Sequence, residues 1–329
     1  MQRVEFEEIL KAKQKLKGFA NVTPVFTNST FNKLYGENNT NFHFKAESFQ
    51  KVGAFKFRGA FNAVENLENS SKGVVTHSSG NHGQALSLAA SMKNIPCYVV
   101  EIRLVPCNAP KVKKDAMKDY GAILIECEPN LRAREEGCAE IIKKTGAELI
   151  HPYNNFHVIS GQGTIAVEFL EQVSNLDCII LPIGGGGMLS GCSIAAKAIN
   201  PNIKIFAAEP ANADDCYRSK KEGKLVKNEN APRSIADGLL TSMGDRTWPI
   251  IMRNVDDVFI VSETEIIDAM YFVFERLKIV IEPSAAVGVA VCMFNSEFKK
   301  KTSCLKNVGI VLSGGNIDLK KNLPWQIVH

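Results

Sequence analysis

The chain has 329 residues, 45% hydrophobic and 22% charged, with 39 basic against 35 acidic side chains and a formal net charge of +4. That length exceeds one typical domain, and the composition is that of a globular chain with a large core, not a disordered one. So small a charge excess gives no ground for a nucleic-acid partner, and the longest apolar stretch, residues 285–294, is too short to cross a bilayer.

Residues 1–17 mix Glu and Lys through an apolar periodicity, which predicts an amphipathic helix and not a signal peptide. Lys56 follows in the run Gly53-Ala54-Phe55-Lys56-Phe57-Arg58-Gly59, at the head of an apolar helix. Burial disfavours an ammonium, so a partly buried amine there is ready to form an imine with a carbonyl. The competing reading is a surface lysine whose stem lies on apolar neighbours. Strand-like runs come next at 73–76, 97–100, 122–126, 177–181, 203–208, 257–261 and 308–312, with helical patterns at 81–93, 110–120, 131–144 and 188–199 between them. That alternation predicts an α/β fold of parallel strands and crossover helices. Residues 76–147 form a self-contained run, read as a small inserted lobe, and 1–75 with 148–329 form the large one. Nine cysteines without a Cys-x-x-Cys pair argue against a disulfide framework or structural zinc and for a reducing compartment. Cys107 and Cys127 are possible redox sensors that no pattern singles out.

Three glycine-rich turns fall at strand ends: Ser78-Ser79-Gly80-Asn81-His82-Gly83, Gly184-Gly185-Gly186-Gly187 and Ser313-Gly314-Gly315-Asn316. Ligands of open α/β sheets bind beyond the carboxyl ends of strands, so these turns and Lys56 are expected to face one cleft. The tetraglycine offers bare amides and a positive helix end, a phosphate cradle, and four glycines cost too much chain entropy for a mere connection. Leu189 and Ser190 stand where a dinucleotide fingerprint needs its third glycine, and no Gly-Lys-Ser/Thr follows. A nicotinamide-dependent oxidoreductase, with Glu209 on the ribose, is therefore an alternative with the wrong glycine spacing. The turn at Ser79 and Asn81 suits a carboxylate or phenolic oxygen, although Ser and Asn also cap helices. On spacing alone His77 and His82 read as structural, and neither makes a metal pair. Ser313 can hydrogen-bond a ring nitrogen. A reactive lysine, a phosphate cradle, an oxygen-binding Asn and a ring-nitrogen partner are together the handles of pyridoxal 5′-phosphate.

With these motifs, and with Gly161-Gln162-Gly163-Thr164, Ala207-Ala208-Glu209-Pro210 through Asp215 and Ile235-Ala236-Asp237-Gly238, the chain resembles the fold-type II pyridoxal-phosphate enzymes over nearly its entire length. Within them it is similar to the group of serine racemases and threonine dehydratases. The resemblance implies two lobes of twisted parallel sheet and a cofactor held by Lys56. It places Phe55 on the ring, Asn81 at the 3′ oxygen, Gly184, Gly185, Gly186 and Gly187 on the phosphate, Ser313 at the ring nitrogen and Gly238 along the site. Ser78, Ser79, Asn81, His82 and Arg134 would bind the substrate carboxylate, and Ser79 matches the second acid of serine racemases, opposite Lys56. Racemisation of serine with side β-elimination is thus expected; a threonine or serine dehydratase, a racemase of another small amino acid and a silent amino-acid-binding protein are the alternatives. Tyr153-Asn154-Asn155-Phe156 after His151-Pro152 replaces the serine-rich segment of similar aspartate racemases, which points away from aspartate. Glu209, the carbonyl of Ala213 and Asp215 match a site for Mg²⁺ or Ca²⁺. The resemblance also implies a cytosolic homodimer, with ATP as an activator for which the sequence shows no nucleotide motif. Two departures are Ala54, where the family carries serine, and the inserted segment Glu101-Ile102-Arg103-Leu104.

Overall fold

The structure, a computed structural model, describes residues 3–78, 80–102, 111–128, 130–228 and 232–326. Its strands form two sheets. The larger has six strands in the order β1 (Val25–Thr27), β2 (Asn41–Ala46), β10 (Asn307–Leu312), β7 (Cys178–Pro182), β8 (Lys204–Pro210), β9 (Asp257–Val261). β1 pairs antiparallel with β2 and every other neighbour is parallel. The smaller sheet is wholly parallel, in the order β5 (Ile123–Cys127), β4 (Cys97–Ile102), β3 (Val74–Thr76), β6 (Glu148–Leu149). It takes in 74–76 and 148–149, on either side of the expected lobe boundary. The insertion lengthens β4: Glu101 and Ile102 pair with Glu126 and Cys127, while Arg103 and Leu104 lie outside the described residues.

Successive residues of a strand face opposite sides, so strands apolar at every position must be covered on both faces. On the larger sheet, Ile179 and Leu181 join one core with α1 (Phe6–Leu16), α7 (Phe156–Gln172), α8 (Gly187–Ile199), α9 (Asp215–Glu222) and α10 (Trp248–Asn254). Cys178 and Ile180 join the other core with α2 (Ser29–Tyr35), α11 (Glu263–Phe272), α12 (Pro283–Phe294) and α13 (Ser296–Thr302). In the smaller sheet Val74 and Val99 pack under α3 (Lys56–Val64), α4 (Asn81–Met92) and α5 (Lys111–Asp119), and Val75 and Val100 under α6 (Leu131–Thr145). Among the described residues no helix is long and apolar enough to cross a membrane.

Two devices fix the helix that begins at Lys56. Glycines let α3 and α7 touch backbone to backbone: a Cβ on Gly161 would lie 2.5 Å from the Arg58 carbonyl oxygen and 2.6 Å from the Gly59 Cα. α7 meets α8 the same way, where a Cβ on Gly163 would lie 2.8 Å from the Gly191 carbonyl oxygen. This is the physical content of the Gly161-Gln162-Gly163 motif, and Gln162 also accepts from the Gly59 amide at 3.1 Å. The second device is a buried charge network. Arg58, 2% exposed, donates to Glu47 at 2.8 Å and Glu168 at 2.9 Å, and Lys45 donates to Glu168 at 2.6 Å. Two cations thus balance two carboxylates among α3, α7 and the end of β2.

Candidate active site

Lys56 is the first residue of α3, and its Nζ donates to the Pro152 carbonyl at 3.0 Å and lies 5.1 Å from the centre of the Phe55 ring. Burial pushes its ammonium down to about 8, against the opposing pull of Glu282. A free amine is therefore accessible near neutrality. The Phe55 amide donates to the Ser313 carbonyl at 3.1 Å, and Ala54 forms an antiparallel bridge with Gly314. Those two contacts bring the turn after β10 beside Lys56. A Cβ on Gly314 would lie 3.2 Å from the Ala54 methyl, so the bridge is close enough there to favour a glycine.

The tetraglycine joins β7 to α8, with Gly186 at φ 87 as the N-cap and no side chain capping the helix. The first-turn amides of α8 are left to an anion. The glycines are needed for a second reason that the sequence did not reveal: a Cβ on Gly185 would overlap the Tyr153 ring, and one on Gly184 would come within 3.0 Å of Leu239 Cα. Gly238 adjoins this turn and donates to Ser284 Oγ at 2.9 Å. Thr247 Oγ1 donates to the Gly185 carbonyl at 2.8 Å and accepts from the Gly244 amide at 3.0 Å, which steadies the cradle from behind.

Across the cleft, Asn81 opens α4, donating to Glu282 Oε1 at 2.6 Å and accepting from Asn316 at 2.9 Å. Ser78 is half-buried beside it, while Ser79 lies outside the described residues. The His82 ring, 1% exposed, is engaged with the Ile150 carbonyl at 3.1 Å, and burial and then Lys56 hold it neutral. With Nε2 donating to that carbonyl, the neutral ring has no further donor, and the backbone amide is the donor that His82 keeps for a ligand. His77, His151 and Tyr153 form a chain of edge-on rings 5.1 and 4.6 Å apart. Burial, then His77 and Lys56, take His151 down to about 3. Arg134, in the first turn of α6, is close enough to act on His77 and Tyr153, and its Nε is buried with no hydrogen-bond partner among the described residues. A buried guanidinium donor without an acceptor is what a carboxylate ligand would satisfy. Amine, amide cradle and the open Arg134 Nε together fit pyridoxal phosphate and an amino acid.

The expected cation ligands lie at the end of β8. Glu209 accepts from the Cys216 and Tyr217 amides at 3.0 and 2.9 Å; Asp215 accepts from the Met243 amide at 2.9 Å and Asn228 at 3.0 Å. Each is 1% exposed, and neither forms an ion pair among the described residues. Burial and then the charge of Asp215 raise Glu209 well above the carboxylate range, and burial takes Asp215 up to about 6. No group of three or more His, Cys, Asp or Glu side chains suited to a metal occurs among the described residues, so any cation here needs carbonyl or water ligands besides the two carboxylates.

Glu282 and the Pro152 carbonyl are site groups that sequence reasoning missed, while Asn316 and Tyr153 were named there only as members of a cleft turn and of the segment after His151-Pro152, without these contacts. Glu282 carried a signal: it is the one charged residue between Lys278 and Glu297.

A family model described as "Pyridoxal-phosphate dependent enzyme" matches residues 16–314. The serine racemase of Dictyostelium discoideum is 51% identical over 97% of this chain and 97% of its own length. The beta-hydroxyaspartate dehydratase of Paracoccus denitrificans is 44% identical, covering 97% of this chain and 98% of its own. The solved structure of maize serine racemase superposes with a TM-score of 0.93 at 43% identity, covering 99% of this chain and 97% of that one. The chain belongs to the pyridoxal-phosphate dependent enzymes.

Proposed function

We propose that this enzyme interconverts L-serine and D-serine and, as a side reaction, eliminates the β-hydroxyl of serine to give pyruvate and ammonia. The observation that carries the reading is Lys56: an amine with proton affinity near neutrality, held 3.0 Å from the Pro152 carbonyl in a cleft with a bare-amide cradle. Bound pyridoxal phosphate supplies the electron sink that makes the Cα proton of an amino acid acidic. Lys56 Nζ takes or returns that proton on one face, with a proton affinity suited to acting as base and as acid. Ser79 serves the opposite face. The α8 amides hold the phosphate, and Ser313 meets the ring nitrogen. The α4 amides and Arg134 orient the substrate carboxylate. Closure of the small lobe, 76–147, over the large one keeps water from the reacting carbon. Elimination requires only the first proton transfer, so it accompanies racemisation.

Incubation with L-serine followed by chiral separation tests the reading: D-serine with some pyruvate is expected, and pyruvate without D-serine refutes racemisation. Ser79→Ala should slow racemisation about 100-fold while sparing elimination. Equal loss of both would remove Ser79 from its role. A dehydratase that does not racemise is the second reading, favoured by the 44% identical dehydratase relative. Hydroxyaspartate and threonine in the same assay separate it.

Glu209, the Ala213 carbonyl and Asp215 would hold Mg²⁺ or Ca²⁺, supported by two buried carboxylates that no Lys or Arg pairs among the described residues. A homodimer, activation by ATP and residence in the cytosol follow from the resemblance. Sedimentation, addition of ATP to the chiral assay and cell fractionation test them in turn.

A further inference from the structure

We propose that Glu282 and Asn316 are positioning residues that fix which end of the Asn81 amide faces the cofactor. The inference rests on the reading that Asn81 meets the 3′ oxygen of the ring. An amide presents either a donor or an acceptor depending on its rotation by half a turn, and its neighbours decide which. Here the decision is built as a chain with both ends fixed. Asn316 Nδ2 donates to the Val52 carbonyl at 2.7 Å, and a carbonyl can only accept. The same Nδ2 donates to Asn81 Oδ1 at 2.9 Å, so that oxygen is engaged. Asn81 Nδ2 then donates to Glu282 Oε1 at 2.6 Å, the length of a charge-assisted bond. With its oxygen turned toward Asn316 and one hydrogen toward Glu282, Asn81 has its second hydrogen to offer an anionic ring oxygen.

The surroundings are shaped for this chain. Glu282, 2% exposed, donates its own amide to the Gly314 carbonyl at 3.0 Å, and a Cβ on Gly314 would sit 2.8 Å from Glu282 Oε1. A Cβ on Gly53, whose φ is +65°, would sit 2.8 Å from Asn316 Oδ1, and Gly315 donates to the Gly53 carbonyl at 2.9 Å. Gly314, in the turn after β10, and Gly53, before α3, are thus the places where Glu282 and Asn316 pass close to backbone. The chain also joins the two sheets' elements, since Asn81 opens α4 on the smaller sheet and Glu282 and Asn316 belong to the larger.

The test is titration of cofactor-free enzyme with pyridoxal phosphate, read by dissociation constant and by the ratio of the visible to the near-ultraviolet band of the bound cofactor, which reports whether the ring oxygen is ionised. Glu282→Gln and Asn316→Leu are each expected to weaken binding about tenfold, one charge-assisted hydrogen bond's worth, and to shift intensity to the near-ultraviolet band. Asn81→Ala should do the same, and Glu282→Gln added to Asn81→Ala should cost little more, because the residues act through one amide. Thermal unfolding of the cofactor-free variants controls for folding. If Asn81→Ala shifts the band and Glu282→Gln lowers only the melting temperature, the positioning role is overturned and the Asn81 reading stands. If Asn81→Ala leaves band and affinity unchanged, both fall.

Discussion

Replacing Arg58 by Met removes the cation that holds Glu47 and Glu168 together beneath the reactive lysine. Arg58 is 2% exposed and meets both carboxylates within 2.9 Å, which leaves Lys45 as the only cation of that network in the variant. Breaking a buried pair from one side costs about 3–5 kcal/mol, because the abandoned charge stays buried. For a chain of 329 residues that is a fall in melting temperature of about 6 °C. The sign of the pH dependence is a sharper test. Burial alone would raise Glu168, but Arg58 and Lys45 outweigh it and hold the carboxyl below its ordinary value. In the native protein Glu168 therefore contributes stability above the unfolded carboxylate range that is lost as pH falls through its lowered value. Without Arg58, burial dominates and the carboxyl prefers its proton, so the variant's deficit should shrink between about pH 7 and pH 5. Calorimetry of both proteins across that range measures it, and Arg58→Met with Glu168→Gln should recover part of the loss. A deficit under 1 kcal/mol, or one independent of pH, would refute the argument.

Other outcomes follow from the same geometry. Modification of Lys56 in the cofactor-free enzyme by an amine-selective aldehyde should titrate with a midpoint near pH 8, and at pH 7.5 run about 200-fold ahead of a lysine at its ordinary value of 10.5; a midpoint above 10 would refute the desolvated pocket. Gly185→Ala forces a methyl into the Tyr153 ring, with an expected cost of about 1–3 kcal/mol seen as weaker cofactor retention. Tyr153→Ala should relieve part of that loss in the double variant. Mg²⁺ should raise the melting temperature at pH 7.5 and lose that effect below about pH 6, where Asp215 takes up its proton and a cation must displace it. A magnesium effect that persists unchanged at pH 5 would place the cation elsewhere.

How much of this was legible depended on whether a residue's neighbours in space were also its neighbours in the chain. The parallel strands at 97–102, 178–182, 204–210 and 307–312 announce themselves because burial on both faces makes them apolar at nearly every position, and 123–127, an edge strand with Ile123 exposed, is legible from its β-branched run alone. β2 did not, because His43 and Lys45 break its apolar run, and Lys45 is buried only by virtue of Glu168 far along the chain. β1 and β6 are three and two residues long, too short to show a period. Lys56 and the tetraglycine were readable from local chemistry alone. Glu282 shows in the sequence as a lone charge in an apolar stretch, but its role does not: an acid before a proline at the start of a helix looks like an end-group, and its meeting with Asn81 spans 201 residues. A π-helical turn at Val273–Leu277 and a left-handed Lys278 bring the chain round to it, and neither has a sequence pattern that predicts it.

The stack of α3, α7 and α8 touches backbone to backbone at Gly161 and at Gly163 with Gly191, and the Gln162 side chain ties α7 to the Gly59 amide beside them. It therefore works as a caliper. Its two jaws are the Lys56 amine and the amides that open α8, and a rigid backbone contact cannot open or close by rotamer changes. The gap between amine and phosphate anchor is set before any ligand arrives. A cofactor analogue lengthened by one methylene between ring and phosphate would seat at one jaw or the other, never at both.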